Sequence, residues 1–399
     1  MHKIERLLQT LAPKGVEFRK LGEVCDFQKG KSITKKAVTF GKVPVISGGR
    51  QPAYYHNEAN RSGETIAISS SGVYAGYVSY WDIPVFLADS FSVSPKQKTL
   101  MPKYLFHYLT TQQDAIHATK STGGIPHVYS KDLQNFLIPI PPLEIQQEIV
   151  KILDAFTELN TELNTELKAR KKQYQYYQNM LLDFKDTRSN HKDAKMSAKT
   201  YPKRLKTLLQ TLAPKGVEFR KLGEVCEILD NRRIPIAKNK RKPGIYPYYG
   251  ANGIQDYIDS YIFDGDFVLV GEDGSVINKD NTPVVNWASG KIWVNNHAHV
   301  LQTKNELKLK FLYFYLQTID VSYYVAGTPP KINQENLKKI TIPIPPLEIQ
   351  QEIVKILDQF SALTTDLLAG IPAEIKARKK QYEYYREKLL TFKPLQNKA

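Results

Sequence analysis

The sequence has 399 residues, of which 42% are hydrophobic and 11% aromatic, enough apolar material for two or more folded domains. Its 56 lysines and arginines against 40 aspartates and glutamates give a formal net charge of +16, which favours a polyanionic partner, with nucleic acid ahead of a membrane surface. No apolar run approaches the roughly 20 residues that span a bilayer, and the charged start MHKIERLLQT lacks the apolar core of a secretory signal, so we expect a cytoplasmic protein with no membrane partner.

Two segments of the chain occur twice. LLQTLAPKGVEFRKLGEVC at residues 7–25 returns unchanged at 208–226, and IPIPPLEIQQEIVKILD at 138–154 returns unchanged at 342–358. A repeat that covers about half of the chain is far longer than the roughly 20 to 50 residues of solenoid and propeller repeats. The sequence therefore predicts two similar halves.

The first half begins with an amphipathic helix at Ile4 to Leu11, ended by Pro13 and Gly15. Between residues 26 and 137 short β-favouring runs alternate with Gly, Ser, Pro and Asn. These runs are VPVIS, ETIAISSSG, YAGYVSYW and VFLADSFSV, followed by a helical pattern at Pro102 to Ala118. This pattern predicts an α+β domain.

The second half repeats this plan with different residues. Its strand and turn segments are IYPYYGANG, YIFDGDFVLVGEDGS, TPVVNW and KIWVNNHAHVLQT, and its helix is expected at Leu307 to Thr318. The architecture is thus expected to be shared, whereas the two inserts between the identical segments differ in sequence.

A long helix is predicted from Leu143 to Phe184, because apolar residues recur there with the alternating spacing of a coiled coil, apart from one stutter. Such a helix cannot bury its apolar stripe alone, and the second copy of the motif offers a partner in the same chain. The predicted pairing or partner-binding residues are Ile145, Ile149, Ile152, Phe156, Ile349, Ile353, Ile356 and Phe360.

The second long helix should be interrupted at Ala369–Gly370–Ile371–Pro372, because proline removes a helical hydrogen bond, and it should restart with Pro372 in its first turn. The repeats also predict that the ends of the chain meet. The helix within residues 1–15 should pack near the end of the second long helix, as residues 202–216 should pack near the end of the first.

We found no motif that supports catalysis or metal binding. Gly30-Lys31-Ser32 resembles the end of a phosphate-binding loop, but Cys25 stands where that loop needs a glycine. Turn formation is the simpler explanation of Asp264, Asp266, Glu272 and Asp273, and surface or core positions are the simpler explanation of His297 and His299. Only two cysteines occur, Cys25 and Cys226, so we expect two buried thiols rather than a disulfide framework or a four-cysteine zinc site.

Several segments are suited to DNA contact. The loops at 47–51 and 249–253 fall at equivalent places in the two inserts, and arginine pairs with guanine as glutamine or asparagine pairs with adenine. Hairpin turns use the same residues and remain the alternative. Basic segments at 29–36 and 232–242 suit phosphate contacts, or only a solvated surface. The DNA-contact candidates are Lys29, Lys31, Lys35, Lys36, Ser47, Gly49, Arg50, Gln51, Lys120, His127, Arg232, Arg233, Lys240, Arg241, Tyr249, Asn252, Gln255 and Lys331.

The order of variable insert, PIPPLEIQQEIVKILD, long helix with KARKKQY, second insert and repeated helix motif resembles the DNA specificity subunit of type I restriction-modification systems. The resemblance covers essentially the whole chain. It implies two target recognition domains, joined by two long antiparallel coiled-coil helices in a pseudo-twofold, cyclic arrangement. The implied division is 1–142 for the first domain, 143–185 for the first helix, 186–199 for a polar linker, 200–346 for the second domain and 347–399 for the second helix.

The resemblance also implies partners. Each domain would bind one half of a bipartite, asymmetric double-stranded DNA site, and the helices would hold two methyltransferase subunits, with restriction-translocase subunits outside them. The chain would bind no cofactor itself, since adenosylmethionine, ATP and magnesium are expected on those partners. Two alternatives remain at this point, a nucleic-acid enzyme with an unrecognised site and a coiled-coil adaptor without restriction-modification partners.

The paired helices lead to a first prediction, about the spacing of the two half-sites. Four residues added to both helices lengthen each by about 6 Å, close to two base-pair steps of roughly 3.4 Å. We expect the spacer of the methylated site to grow by one or two base pairs. A methylation-site assay that returns an unchanged spacer would refute the idea that the paired helices set the distance between the two half-sites.

Overall fold

The computed structural model describes residues 2–96, 98–121, 124–184, 201–274, 276–365 and 370–395. The chain forms two compact units. Unit 1 comprises Met1–Asn164 together with Glu374–Ala399, and unit 2 comprises Thr165–Ala373. Each unit contains one copy of every repeated segment. The predicted linker at 186–199 lies outside the described residues.

Helices and short strands alternate along the described chain. The helices are α1 (His2–Leu11), α2 (Leu21–Val24), α3 (Pro102–Thr111), α4 (Gln113–Ala118), α5 (Ser130–Leu133), α6 (Leu143–Leu182), α7 (Lys203–Leu212), α8 (Leu222–Val225), α9 (Leu309–Leu316), α10 (Gln334–Lys339), α11 (Leu347–Thr365) and α12 (Ile371–Leu390). The strands are β1 (Glu17–Lys20), β2 (Cys25–Lys29), β3 (Val43–Ile46), β4 (Tyr54–His56), β5 (Thr65–Ser69), β6 (Val78–Trp81), β7 (Phe86–Leu87), β8 (Ser90–Pro95), β9 (Leu137–Ile140), β10 (Glu218–Lys221), β11 (Cys226–Ile228), β12 (Pro243–Gly250), β13 (Gly253–Ile258), β14 (Phe263–Gly271), β15 (Val285–Val294), β16 (Ala298–Thr303) and β17 (Thr341–Ile344).

Unit 1 is built on two small sheets. One has four antiparallel strands in the order β2-β8-β5-β6, and the other has the order β4-β3-β7, with β3 and β7 parallel. Every residue of β5 is buried, because the strand lies inside its sheet and packs on both faces. The core contains Ile66 and Ile68 of β5 with Tyr104 and Leu105 of α3. The helix expected over 102–118 is divided at Gln112 into α3 and α4.

Unit 2 has one larger sheet, of six strands in the order β11-β16-β14-β15-β12-β13. The segments TPVVNW and KIWVN, which we expected to be separate, contribute to the single strand β15, because the residues between them continue to pair with β14. The core of this unit includes Val268 and Val270 of β14 with Phe311 and Leu312 of α9. Both units are therefore α+β folds, as the sequence predicted.

The repeated segments adopt the same structure in both units. Strand β1 pairs with β9 so that Phe18 faces Pro139, and β10 pairs with β17 so that Phe219 faces Pro343 in the same antiparallel register. Each repeat thus closes its insert with an identical two-stranded ribbon. The ribbon leads directly into the long helix that follows.

A buried glutamine of the repeated motif fixes this helix to the insert in unit 1. Gln146 is fully buried near the start of α6. Its amide nitrogen donates to the carbonyls of Thr99 at 2.8 Å and Pro141 at 2.7 Å. Its amide oxygen accepts the backbone N–H of Met101 at 2.9 Å, just before α3 begins. One side chain therefore joins the first turns of α3 and α6.

Gln350 makes the equivalent bridge in unit 2. Its amide nitrogen donates to the carbonyls of Glu306 at 2.9 Å and Pro345 at 2.7 Å. Its amide oxygen accepts the N–H of Lys308 at 2.8 Å, just before α9 begins. The glutamine of the repeated motif thus makes the same three hydrogen bonds in both units, which accounts for its presence in both copies.

The long helices pair in both units, and aromatic rings mark the contacts. In unit 1 Phe156 of α6 stacks on Tyr385 of α12, with ring centroids 5.5 Å apart. In unit 2 Tyr177 of α6 stacks on Phe360 of α11 at 5.2 Å. Helix α6 thus pairs with α12 in unit 1 and with α11 in unit 2. No helix in the described part of the chain combines the length and apolarity needed to cross a membrane.

The predicted interruption of the second helix is confirmed. Gly370 forms a bend, and α12 starts at Ile371 with Pro372 in its first turn.

The predicted meeting of the chain ends is also confirmed in unit 1. Val16 forms a parallel β-bridge with Pro394, and its N–H donates to the carbonyl of Lys393 at 2.9 Å.

Both cysteines are buried thiols, as expected. Cys25 and Cys226 are 1% and 4% exposed, and burial raises the pKa of each thiol to about 12. A thiol with so high a pKa stays protonated at neutral pH and is a poor nucleophile. These residues therefore belong to the cores of their units.

Candidate nucleic-acid interface

Three loops of unit 1 meet beside the end of β5. The N–H of Ser70 donates to the carbonyl of Asp89 at 3.1 Å, and the carbonyl of Ser70 accepts from Val128 at 2.9 Å. The N–H of Gly72 donates to the carbonyl of Pro126 at 3.0 Å. We call this arrangement of residues 70–72, 89 and 126–128 loop junction 1.

Unit 2 contains the same backbone arrangement beside the end of β14. The N–H of Glu272 donates to the carbonyl of His297 at 2.8 Å, and the carbonyl of Glu272 accepts from Ile332 at 2.8 Å. The N–H of Gly274 donates to the carbonyl of Pro330 at 3.1 Å. Residues 272–274, 297 and 330–332 form loop junction 2, which matches loop junction 1 bond for bond.

The side chains at equivalent positions of the two junctions differ. An isolated antiparallel bridge joins Ser71 to His127 in junction 1, and the equivalent bridge joins Asp273 to Lys331 in junction 2. A hydroxyl and an imidazole in one unit thus correspond to a carboxylate and an ammonium group in the other. One backbone framework therefore presents two different sets of polar groups, and the predicted candidates His127 and Lys331 occupy the same place in it.

The two glycine-containing loops predicted to contact DNA are structurally equivalent. Strand β3 runs parallel to β7 with Ile46 beside Leu87, and β12 runs parallel to β15 with Tyr249 beside Val294. The loops that follow Ile46 and Tyr249 therefore leave their sheets at the same point.

In unit 1 this loop contacts junction 1 closely. Ser69 Oγ donates to the carbonyl of Ser47 at 3.1 Å. A Cβ added at Gly48 would lie 2.5 Å from the carbonyl oxygen of Ser71, so this close approach requires glycine. Gly49 has more space, since nothing but Gln51 lies near the equivalent point. The loop and the junction thus form one continuous surface.

Arg50 extends from this loop over two aromatic rings. Its guanidinium carbon lies 4.8 Å from the ring centre of Tyr74 and 5.6 Å from that of Tyr77. Tyr74 is 40% exposed, and Arg50 and Gln51 are exposed too. A guanidinium stacked in this way keeps its N–H donors free for an external acceptor.

In unit 2 the equivalent loop is tied to junction 2 through Asn295. The Asn295 side chain donates to Gln255 Oε1 at 3.4 Å and accepts the N–H of His297 at 2.8 Å. Asn252 and Gln255 are exposed, whereas Tyr249 is 8% exposed and packs in the core. The structure therefore favours a core role for Tyr249 over the predicted DNA contact.

A cavity of about 410 Å³ lies beside junction 1, lined in part by Lys29 and His127. The rings of His127 and Tyr129 stack with centroids 5.9 Å apart, and Lys131 Nζ lies 5.5 Å from the Tyr129 ring centre. Two lysines and a pair of stacked rings at one opening suit a phosphate and a base respectively. The structure thus joins Lys29 and His127, which are distant in sequence, in one site.

The other basic candidates of unit 1 lie on the surface. Lys31, Lys35 and Lys36 are exposed, the last two on a short 3-10 helix at Lys35–Ala37. Lys120 Nζ donates to the carbonyl of Val73 at 3.4 Å, which holds it against the loop that follows β5. These positions are compatible with the predicted phosphate contacts.

The basic residues of unit 2 that were predicted to contact DNA differ in how exposed they are to solvent. Arg232 and Lys240 are exposed. Arg241 is half-buried, with its guanidinium carbon 4.1 Å from the Tyr248 ring centre and its Nε donating to the carbonyl of Ile236 at 3.0 Å. Arg241 therefore holds the loop before β12 in place, and Arg232 and Lys240 are the better placed for phosphate contact.

Arg233 belongs to a buried network of charges. It donates to Glu272 at 2.6 Å and lies 3.4 Å from Asp230, while His299 donates to Asp230 at 2.6 Å and Lys331 lies 3.0 Å from Glu272. The side chain of Arg233 is 11% exposed. This position favours a structural role for Arg233 over the predicted DNA contact, because a guanidinium with buried acceptors cannot leave them without cost.

The same network accounts for a group of potential metal ligands. One atom each of Asp230, Glu272 and His299 lie within 4.8 Å of one another. Burial acts to raise the pKa of Asp230, but the hydrogen bond from His299 and the charges of His299 and Arg233 outweigh it and hold that pKa below its ordinary value. The carboxylates thus already have cationic partners in Arg233 and Lys331.

Comparison with known proteins identifies the family. The model of the type I restriction modification DNA specificity domain matches residues 13–172 and again residues 214–377. The chain belongs to this family. As a specificity subunit it recognises DNA sequence for a restriction-modification complex, and it is not itself an enzyme. Membership of this family argues against an adaptor without restriction-modification partners.

Individual relatives agree. A type I restriction enzyme specificity subunit of Haemophilus influenzae is 45% identical over 179 residues, 44% of this chain and 46% of that protein, so this match spans about half of the relative. The EcoR124I/EcoR124II specificity subunit of Escherichia coli is 26% identical over 446 aligned positions, covering 98% of this chain and 97% of that one. The crystal structure of the S subunit from M. genitalium matches with a TM-score of 0.66 at 18% identity over 94% of this chain and 96% of that one, which shows a shared fold.

Reasoning from the sequence did not identify several polar residues of the two loop junctions. Ser71, Asp89 and His297 were not proposed as DNA contacts, and Asp273 was assigned to turn formation, yet all four lie at the loop junctions. Their side chains pair over separations of 18 and 24 residues. The only signal in the sequence was the position of each residue at the end of a β-favouring run.

Proposed function

We propose that this specificity subunit recognises a bipartite, asymmetric double-stranded DNA site, with unit 1 contacting one half and unit 2 the other. The observation that carries the proposal is the pair of loop junctions, which share their backbone hydrogen bonds and differ in their polar side chains. Base-specific contacts require different donors and acceptors for different bases. Equivalent frameworks with different groups suit two different half-sites.

The proposed partner subunits are inferred from the segments that are identical in the two units. Two identical motifs on equivalent helices offer two equivalent binding surfaces, which suits two methyltransferase subunits, with restriction-translocase subunits joining them. Adenosylmethionine, ATP and magnesium belong to these partners in our proposal, and the DNA substrate places the complex in the cytoplasm. The net charge of +16 supplies the general attraction for DNA.

Sequencing of methylated DNA from cells that carry this chain with its methyltransferase tests the proposal. We expect one methylated motif made of two defined parts separated by undefined bases. A continuous motif, or no dependence of methylation on this chain, would refute the bipartite function.

A chimaeric protein tests whether each unit recognises its own half-site. The identical segments that flank the inserts allow residues 26–137 to be replaced by a second copy of residues 227–341. We expect the motif to become symmetric, with two copies of the half-site of unit 2. A chimaera that folds, assembles and still methylates the original asymmetric motif would contradict the assignment of one half-site to each unit.

A further inference from the structure

One pair of side chains occupies the same place in both loop junctions. In junction 1 Ser71 Oγ donates to Asp89 Oδ2, and in junction 2 His297 Nδ1 donates to Asp273 Oδ1. The backbone carbonyls of Asp89 and His297 accept equivalent N–H groups, at 3.1 and 2.8 Å, so Asp89 and His297 are structural counterparts. So are Ser71 and Asp273, by their equivalent bridges.

Asp89 and His297 each have one side-chain atom without a partner within the described part of the chain. The second carboxylate oxygen of Asp89, Oδ1, and the second ring nitrogen of His297, Nε2, make no hydrogen bond to any residue that the structure describes. The His297 and Asp273 side chains are 48% and 28% exposed, and Asp89 lines the cavity beside junction 1. An external molecule can therefore contact both atoms.

The internal hydrogen bond determines what these atoms offer. A carboxylate can only accept, so Asp273 keeps a proton on Nδ1 of His297, and the neutral form of a ring bonded in this way has a lone pair on Nε2. The hydroxyl of Ser71 likewise occupies one oxygen of Asp89 and leaves the other as an acceptor. Both junctions thus present a hydrogen-bond acceptor held in position by a neighbouring side chain.

In the major groove the exocyclic amino groups are the donors, N6 of adenine and N4 of cytosine. We propose that Asp89 and His297 are equivalent base-contacting residues, each accepting a hydrogen bond from an adenine or cytosine amino group in its own half-site. This inference rests on the proposed bipartite function. Ser71 and Asp273 are positioning residues, which act by fixing the orientation of their partners.

Other polar groups at the junctions are less suited to this role. Lys331 is already paired with Glu272 at 3.0 Å, and Lys120 donates to a backbone carbonyl. Arg50 presents only donors, which suit guanine or phosphate. Asp89 and His297 each combine a matched position in both units with a free acceptor atom.

The test compares Asp89→Ala and His297→Ala in the full chain, each expressed with the methyltransferase, by sequencing methylated DNA. We expect Asp89→Ala to relax one base pair in the half-site of unit 1, with discrimination there falling at least about fivefold, the lower end of what one good base contact supplies. His297→Ala should relax one base pair in the other half-site. Each variant is the control for the other, because each should leave the opposite half unchanged.

Asp82→Asn is a further control, since Asp82 is exposed in unit 1 away from the junction. Retention of the full wild-type motif by both alanine variants would overturn the inference while leaving the bipartite function intact. If Asp89→Ala fails to fold in a thermal melt, Asp89→Asn, which keeps the shape and alters the acceptor pattern, replaces it with the same expected result.

Discussion

Replacing Gln146 with alanine is expected to lower the free energy of unfolding by about 3 kcal/mol. Three buried hydrogen bonds are lost, and the N–H of Met101 and the carbonyls of Thr99 and Pro141 remain without these partners. A buried polar group left unsatisfied costs roughly 1–3 kcal/mol. Gln350→Ala should have a similar effect, because its three bonds have nearly the same lengths. Denaturant unfolding of the full chain measures both.

The neighbouring glutamines of the same motif provide matched controls. Gln147 and Gln351 are exposed, so their replacement with alanine should change the free energy of unfolding by no more than about 0.5 kcal/mol. The comparison holds residue type, helix and motif constant and varies only burial. Equal effects of Gln146→Ala and Gln147→Ala would show that the bridge between α3 and α6 does not stabilise the unit.

Features that depend on local chemistry were predictable from the sequence. The break at Gly370 and the restart at Pro372 follow from the conformational limits of these two residue types. The contact of Val16 with Pro394 followed from the order of the repeats, because a cyclic arrangement needs the chain ends to meet. The exact repetition of the motif around Gln146 also signalled a common structural task.

Features that depend on long-range packing were not predictable. The division of the helix at Gln112 and the continuity of β15 through the residues after Trp287 depend on neighbouring strands and helices. The pairing of Asp273 with His297 depends on how β14 and β16 end at the same edge of a sheet. One sequence taken by itself carries no record of such contacts.

In both halves of the chain, stability and specificity depend on different residues. Residues identical between the units, such as Gln146 and Gln350, make identical internal contacts. Residues that differ, such as Asp89 and His297, stand on backbone that is held by equivalent hydrogen bonds. Side chains at the junctions can therefore change without loss of the framework, and this is what two dissimilar half-sites require.

Arg232 and Arg233 are adjacent in sequence, and their structural positions lead to opposite predictions. Arg233→Ala should lower the free energy of unfolding by about 3–5 kcal/mol, because it removes one cation from a buried network and leaves Asp230 and Glu272 less compensated. Arg232 is exposed over the Phe263 ring at 4.7 Å, so Arg232→Ala should cost no more than about 1 kcal/mol. Its effect should be on DNA affinity, with a smaller dependence of binding on salt.

Denaturant unfolding and salt-dependent DNA binding of the two variants distinguish these roles. A stable Arg233→Ala protein with weakened DNA binding would restore Arg233 as a DNA contact and refute its structural role.

The pH dependence of stability gives an independent check on the role of Arg233. Since the pKa of Asp230 is lower in the folded chain than its ordinary value, its contribution to stability is present above about pH 4 and is lost as the pH falls through the folded pKa. Arg233→Ala removes one of the charges that lower this pKa, so the folded pKa should move back toward its ordinary value, and the part of the acid-dependent loss of stability that comes from Asp230 should be smaller in the variant than in the wild type.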